Sequence, residues 1–139
     1  MTNDVERTAR EYYRIVGDLN CTEDDLSAIV APDAVFTEHP NPIAPRGGVR
    51  TVEQSLAGFR AGRALLSEQV IEVLEVLVSG DRAAVRATWS GTVGVDRGPF
   101  TAGTELTCVM AAFLTVRDNK ICAHDTYDCY PPLPVGALA

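Results

Sequence analysis

Several side chains in this 139-residue sequence are of types that move or steer protons. Glu38 and His39 form a carboxylate–imidazole dipeptide just before a proline-rich stretch. These are the commonest general acid–base groups, and partial burial brings either pKa toward neutrality. Arg86 stands among Ala83, Ala84, Val85 and Ala87, where a guanidinium is costly to bury without a carboxylate partner. Asp125, between Ala123 and Tyr127, is the natural candidate for that partner. Such a pair can orient a water or hold a base, and it can equally be a structural tie. Tyr12 and Tyr13 can give one ring to a core and turn one hydroxyl into a cavity. His124 neighbours Asp125 but points to the opposite face of a strand, so the two are not read as a dyad. Its expected place is a sheet edge or a contact between subunits.

Other chemistries lack their motifs. There is no P-loop, G-x-G-x-x-G, H-E-x-x-H or G-x-S-x-G. Cys21, Cys108, Cys122 and Cys129 form no C-x-x-C pair and have no His at zinc-ligand spacing, and they read as reduced, mostly buried thiols. The expectation is no metal and no cofactor.

The elements that must position these residues follow from periodicity. Val5, Ala9, Tyr12, Tyr13, Val16 and Leu19 recur at helical spacing, with Asn3 placed to cap and Gly17 near the stop. Thr22-Glu-Asp-Asp25 is a capping-box pattern before Leu26, Ile29 and Val30, and Pro32 ends that short helix. A short strand is expected over Asp33 to Thr37, then a shaped loop over His39 to Gly48. Thr51-Val-Glu-Gln54 opens a third helix carrying Val52, Leu56, Phe59 and Leu66, loosened by Gly58 and Gly62. From Glu68 onward the texture is β-branched, with strands over Val70 to Val78, Ala83 to Val95, Thr101 to Val116 and Ile121 to Tyr130. Helices first and an antiparallel meander afterwards predict an α+β fold. Residues 1–139 read as one domain, with a Pro-rich tail at 131–139.

Composition narrows the partners. A formal charge of −7 repels phosphate backbones and anionic bilayers, which argues against nucleic acid and membrane surfaces. No apolar run approaches the roughly 20 residues of a spanning helix. The Met-Thr-Asn-Asp start lacks the features of a secretory signal, so a cytoplasmic location is expected. Both faces of the strand through Leu106 to Leu114 are apolar, and three helices cover only one face of a bent sheet. A second copy is the simplest cover for the other, which predicts a homodimer through the sheet.

Three helices followed by a bent meander resemble the nuclear transport factor 2-like superfamily, and within it the SnoaL-like group. The resemblance rests on the Tyr12-Tyr13 helix, Ala31-Pro-Asp-Ala-Val-Phe36, the helix after Gly47-Gly48, and the closing Asn119-Lys-Ile and His124-Asp-Thr-Tyr-Asp128. It implies helices packed on a strongly curved sheet, a conical apolar pocket between them, and commonly a dimer across the outer sheet face. Val52 to Phe59 is also similar to a helix of limonene epoxide hydrolases. By that likeness Arg86 and Asp125 match two positions of an Asp–Arg–Asp relay. Thr88 stands where the other Asp belongs, and Phe36 and Glu38 stand at the Tyr and Asn positions. Likeness to ketosteroid isomerases gives Glu38 or His39 the base and Tyr13 the hydrogen-bond donor, with Ala111 near the third position. SnoaL-like polyketide cyclases ask for one acidic residue in the pocket, a role Asp125 can fill with Arg86, Tyr13 and His39.

The resulting expectation is a cofactor-free enzyme that works by proton transfer on an apolar, ring-containing small molecule such as a polyketide or terpenoid. Cyclisation, isomerisation and epoxide opening are all open. Asp125, Arg86, His39, Glu38 and Tyr13 are the expected catalytic residues; Phe36, Phe59, Thr88, Trp89, Met110, Phe113 and Tyr127 are expected to bind substrate. The competing expectation is a non-catalytic protein of the same fold that binds a hydrophobic ligand or only assembles.

Overall fold

The computed structural model describes residues 3–132, so most of the expected C-terminal tail lies outside the described residues. Helix α1 spans Asp4–Val16, with Asn3 accepting the Val5 N–H as its cap. Helix α2 spans Glu23–Ala28 and carries a complete capping box between Thr22 and Asp25. Strand β1 covers Val30–Glu38 and β2 covers Gly48–Arg50. Helix α3, Val52–Leu65, opens on a second capping box between Thr51 and Gln54. It passes without a loop into β3, Leu66–Ser79, and the meander continues through β4, Arg82–Val93, β5, Glu105–Arg117, and β6, Lys120–Cys129.

The six strands form one open sheet in the order β2-β1-β6-β5-β4-β3. The β3-to-β6 run is antiparallel as expected, while β1 pairs parallel with β6, which makes the sheet mixed. Three strand starts differ from the sequence expectation by three residues or more, and the first is that of β3, at Leu66 instead of Val70. Strand β1 begins at Val30, three residues early and through Pro32. That is permitted because β2 pairs only with Phe36 to Glu38, so Pro32 has no ladder partner on that side. Strand β5 begins at Glu105, because residues 96–104 fold into a turn in which Asp96 accepts the Ala102 N–H and Arg97 bridges Phe100. Strand β2, three residues including a glycine, offers no periodicity to detect.

Helix α1 lies on one face of the sheet, and the core forms there. Ala9, Tyr12, Tyr13 and Ile15 of α1 meet Phe36, Val85, Ala87, Ala112 and Leu114, all buried. The opposite face carries exposed Val70, Leu77, Val109, Phe113 and Tyr127.

One irregularity decides which β6 residues meet the helices. The hairpin turns through Asp118 and Asn119, both at positive φ, and pairs Arg117 with Lys120 and Val116 with Ile121. A bulge follows: Thr115 pairs with Ala123, leaving Cys122 as the extra residue. Because side chains alternate, that single residue sends His124, Thr126 and Asp128 to the helix-facing side and Asp125 and Tyr127 to the outer face.

Candidate functional site

On the helix-facing side, β6 and the end of β1 bring together a polar strip with apolar walls. His124 pairs with Phe36 in register and sits among the rings of Phe36, Tyr12 and Tyr13, whose centroids lie 5.8, 5.2 and 6.3 Å away. The Tyr13 hydroxyl is 3.4 Å from His124 Nε2, a long hydrogen bond whose direction the imidazole tautomer sets. Burial drives the His124 pKa down to about 4 against the opposing charges of Asp125 and Glu38, so the ring is neutral at physiological pH. Burial also raises the Tyr12 and Tyr13 hydroxyl pKa values, which keeps both as hydrogen-bond donors.

Two residues further along, Asp128 lies opposite Met110 on the same face. Its Oδ1 accepts a hydrogen bond of 2.6 Å from the Thr126 hydroxyl. Burial pushes the Asp128 carboxyl pKa above the usual carboxylate range; the Thr126 hydrogen bond opposes this, and the nearby charge of Glu38 adds to it. Cys108, buried and on the same side, has its thiol pushed up to about 12, mainly by burial. It is not a nucleophile at neutral pH.

Glu38 pairs with Thr126 in register and ends β1. One carboxylate oxygen accepts from Arg50 Nη1 at 2.7 Å and the other from Asn41 Nδ2 at 2.8 Å. Only 15% of the side chain is exposed. Asn41 also accepts the Ile43 and Ala44 N–H groups, so one side chain shapes the proline-rich loop and fixes the carboxylate.

The sequence-predicted residues divide between the two faces. Glu38, Tyr13, Phe36, Trp89 and Met110 lie on the helix-facing side, and Phe59 faces it from α3. Asp125, His39, Arg86, Thr88, Phe113 and Tyr127 lie on the outer face. The expected Arg86–Asp125 pair is not made: Arg86 Nε reaches Glu75 Oε1 at 3.5 Å, and Asp125 Oδ1 is 2.5 Å from His39 Nε2. The intervening β5 residues, Ala111 and Phe113, hold Arg86 and Asp125 two strands apart. His39 stacks on Tyr127 at 3.9 Å and 7°, with Phe113 against the same tyrosine. His124, expected at an edge or a subunit contact, is instead enclosed by aromatic rings.

Sequence reasoning passed over Asp128, Arg50 and Asn41. Alternation along β6 could have grouped Asp128 with His124, but placing both inside required the bulge at Cys122.

Trp89, the single tryptophan, is held by a relay in which its Nε1–H donates to Gln69 Oε1 and Gln69 Nε2 donates to the Val16 carbonyl, each at 2.9 Å. Its ring lies across Gly91, where a Cβ would come 2.5 Å from the indole. Among the described residues no group of His, Cys, Asp and Glu side chains converges as metal ligands. No helix among them is long and apolar enough to cross a membrane.

Residues 9–124 match the model of the SnoaL-like domain family. The chain belongs to this family. Solved structures agree on the fold, which is nuclear transport factor 2-like. This SnoaL-like domain superposes on IdmH from Streptomyces antibioticus, a candidate polyketide cyclase, with a TM-score of 0.74 at 23% identity, covering 91% of this chain and 92% of that one. A candidate polyketide cyclase from Acidithiobacillus ferrooxidans gives 0.73 at 18% identity, covering 92% and 89%. AclR from Streptomyces galilaeus, a candidate hydroxylase, gives 0.72 at 17% identity, covering 90% and 78%. The sequence has no significant match among curated proteins.

Proposed function

We propose that this SnoaL-like domain is an enzyme that cyclises or isomerises a mostly apolar, ring-containing molecule such as a polyketide or terpenoid, without a cofactor, by proton transfer on the helix-facing side of the sheet. The observation that carries this reading is Asp128. A carboxyl group whose burial disfavours ionisation, set among Met110, Cys108 and the tyrosines, is biased toward its protonated form and so suited to donate a proton. Glu38, on the neighbouring strand, has donors on both oxygens and an arginine beside it. Two carboxyl groups in such different surroundings divide the labour of acid and base. The Tyr13 hydroxyl would steady a substrate oxygen as charge develops on it, and neutral His124 holds that hydroxyl in place. The same donor could protonate an epoxide oxygen. That two similar structures are described as candidate polyketide cyclases supports this substrate class.

The test is Asp128→Asn assayed on a panel of poly-β-ketone and aromatic ketone substrates, with near-UV circular dichroism to verify the fold. The variant is expected to lose about 10²- to 10⁴-fold in kcat. Full activity in a folded variant would overturn the assignment.

A second reading is favoured by the 2.5 Å contact between His39 and Asp125. It puts a half-exposed acid–base dyad on the outer face, supported by stacking on Tyr127. Activity lost in Asp125→Asn and kept in Asp128→Asn would establish it. Ligand binding without turnover would instead support a carrier. We also propose that the exposed Val109, Phe113 and Tyr127 of the outer face meet a second copy of the chain.

A further inference from the structure

The two oxygens of Asp128 differ once its carboxyl is neutral: one carries the proton and the other only accepts. Which is which decides where a proton can leave. Strand β6 settles the matter two residues earlier. Side chains at i and i+2 share one face of a strand, so Thr126 and Asp128 both point toward the helices. There the Thr126 hydroxyl donates to Asp128 Oδ1 at 2.6 Å.

Thr126 is itself held from both sides. It pairs with Ala112 of β5 and with Glu38 of β1, and its carbonyl accepts the His39 N–H at 3.1 Å. A β-branched side chain has little freedom about χ1, so the hydroxyl keeps its aim. Nearby polar groups have partners of their own. Glu38 takes Arg50 and Asn41, and the Tyr13 hydroxyl lies against His124. Asp128 is half-buried, and its Oδ2 has no hydrogen-bond partner among the described residues. That oxygen is not sealed off, because the one buried side-chain nitrogen or oxygen without a partner among those residues is Arg63 Nη1. Oδ2 therefore stays within reach of solvent.

We infer that Thr126 is the positioning residue of this acid: by engaging Oδ1 it keeps the carboxyl proton on Oδ2, the oxygen a substrate can reach. An oxygen that accepts a hydrogen bond is the carbonyl oxygen of the neutral acid, and the proton sits on the other. In turnover the Oδ2–H bond breaks, its electron pair stays on Oδ2, and the substrate oxygen gains the proton. The threonine hydroxyl still donates to the carboxylate that is left, and solvent returns a proton to Oδ2. The inference rests on the reading of Asp128 as the acid. The titratable groups that face Asp128 are Tyr12 and Tyr13 from α1, Glu38 from β1, Cys108 from β5 and Tyr130 just past β6. His124 stands farther back on the same face of β6. Burial raises the three tyrosine hydroxyls and the Cys108 thiol, so none of these four changes charge while Asp128 titrates.

The full chain, with its aspartate carboxyl carbons labelled with 13C, would be titrated by NMR as the parent, Thr126→Val and Thr126→Ser. Asp128→Asn identifies the Asp128 signal by its loss. The Thr126 hydrogen bond favours the charged carboxyl, so the Asp128 midpoint is expected to rise in Thr126→Val and to return toward the parent value in Thr126→Ser. On the panel of poly-β-ketone and aromatic ketone substrates, Thr126→Val should lose about tenfold to a hundredfold in kcat, the size of one hydrogen bond to a charged group. KM should change little, the alkaline limb of the pH profile should move to higher pH, and Thr126→Ser should recover most of the rate. Valine suits a strand, and circular dichroism verifies the fold. An unmoved midpoint or an unchanged kcat in Thr126→Val, or a Thr126→Ser protein that behaves like Thr126→Val, would each overturn the inference. Full activity of Asp128→Asn would remove the acid and the positioning role with it, whereas lost activity in Asp128→Asn beside an unmoved midpoint in Thr126→Val would strike Thr126 alone.

Discussion

Burial biases both His124 and Asp128, on the same side of one strand, toward their neutral forms, and their effects on stability have opposite signs. The His124 pKa is lowered to about 4 from an unfolded value near 6.5, so its contribution is complete above pH 6.5 and is lost as pH falls toward 4. By linkage this amounts to roughly 3 kcal/mol. Urea midpoints measured from pH 7 to pH 4 should fall, and His124→Phe should flatten the decline. The Asp128 pKa is raised, so its contribution is complete at acid pH and is lost as pH rises through its folded-state pKa. Asp128→Asn should therefore melt at a higher temperature than the parent at pH 8 while losing turnover. A carboxyl kept for chemistry at a cost in stability behaves in this way. An Asp128→Asn protein that melts lower at pH 8 would show that the carboxyl is structural.

At the scale of elements, the β4 segment Trp89–Gly91 and the β5–β6 hairpin carry the sharpest tests. Gly91→Ala would set a Cβ 2.5 Å from Trp89 Cζ2 and 3.2 Å from Leu66 Cδ2, so the indole must move and release Gln69. The expected cost is about 1–3 kcal/mol. A shift in the emission of this single tryptophan should accompany it. In the hairpin, Cys122→Ala should be tolerated, and deletion of Cys122 should close the bulge with the native faces kept, because Thr115 would still pair with Ala123 and Leu114 with His124. A one-residue slip that paired Cys122 with Thr115 would instead turn Asp125 and Tyr127 against α1 and push His124 outward. A deletion variant that loses the native circular dichroism would refute the reading of Cys122 as the extra residue. The same bulge marks the limit of what could be read from the chain alone. Capping boxes at Thr22 and Thr51 and the β-branched second half announce the helices and the meander, because those signals are local. Alternation shows that His124 and Asp125 face opposite ways, but not which of them faces the helices. That depends on one unpaired residue beyond the turn, and nothing in the type of Cys122 marks it. Arg86 and Asp125 therefore look like partners in the sequence and are two strands apart in the sheet.

For the molecule as a whole, the outer face is the unresolved half of the design. It combines Val109, Phe113 and Tyr127 with charged Arg86, Glu75 and Asp125. Contiguous apolar surface of this kind usually marks an interaction site. A second copy related by a twofold axis would place like residues near one another across the interface. Sedimentation equilibrium at micromolar concentration should then give twice the 14.9 kDa chain mass, and a Val109→Asp, Phe113→Asp double variant should give the chain mass alone. A parent protein that sediments as a single chain would leave the outer face free for the His39–Asp125 dyad to meet solvent. The bulge also constrains how such a chain can evolve. Beyond the bulge, strand β6 is in effect written in two interleaved texts, odd positions addressed to the outer surface and even positions to the helices, and the pairing at Cys122 sets the frame in which they are read. A point substitution edits one text, whereas a one-residue slip of β6 against β5 exchanges them. Descendants of this sequence should therefore vary freely at residue 122, or lose it, while keeping His124 opposite Leu114.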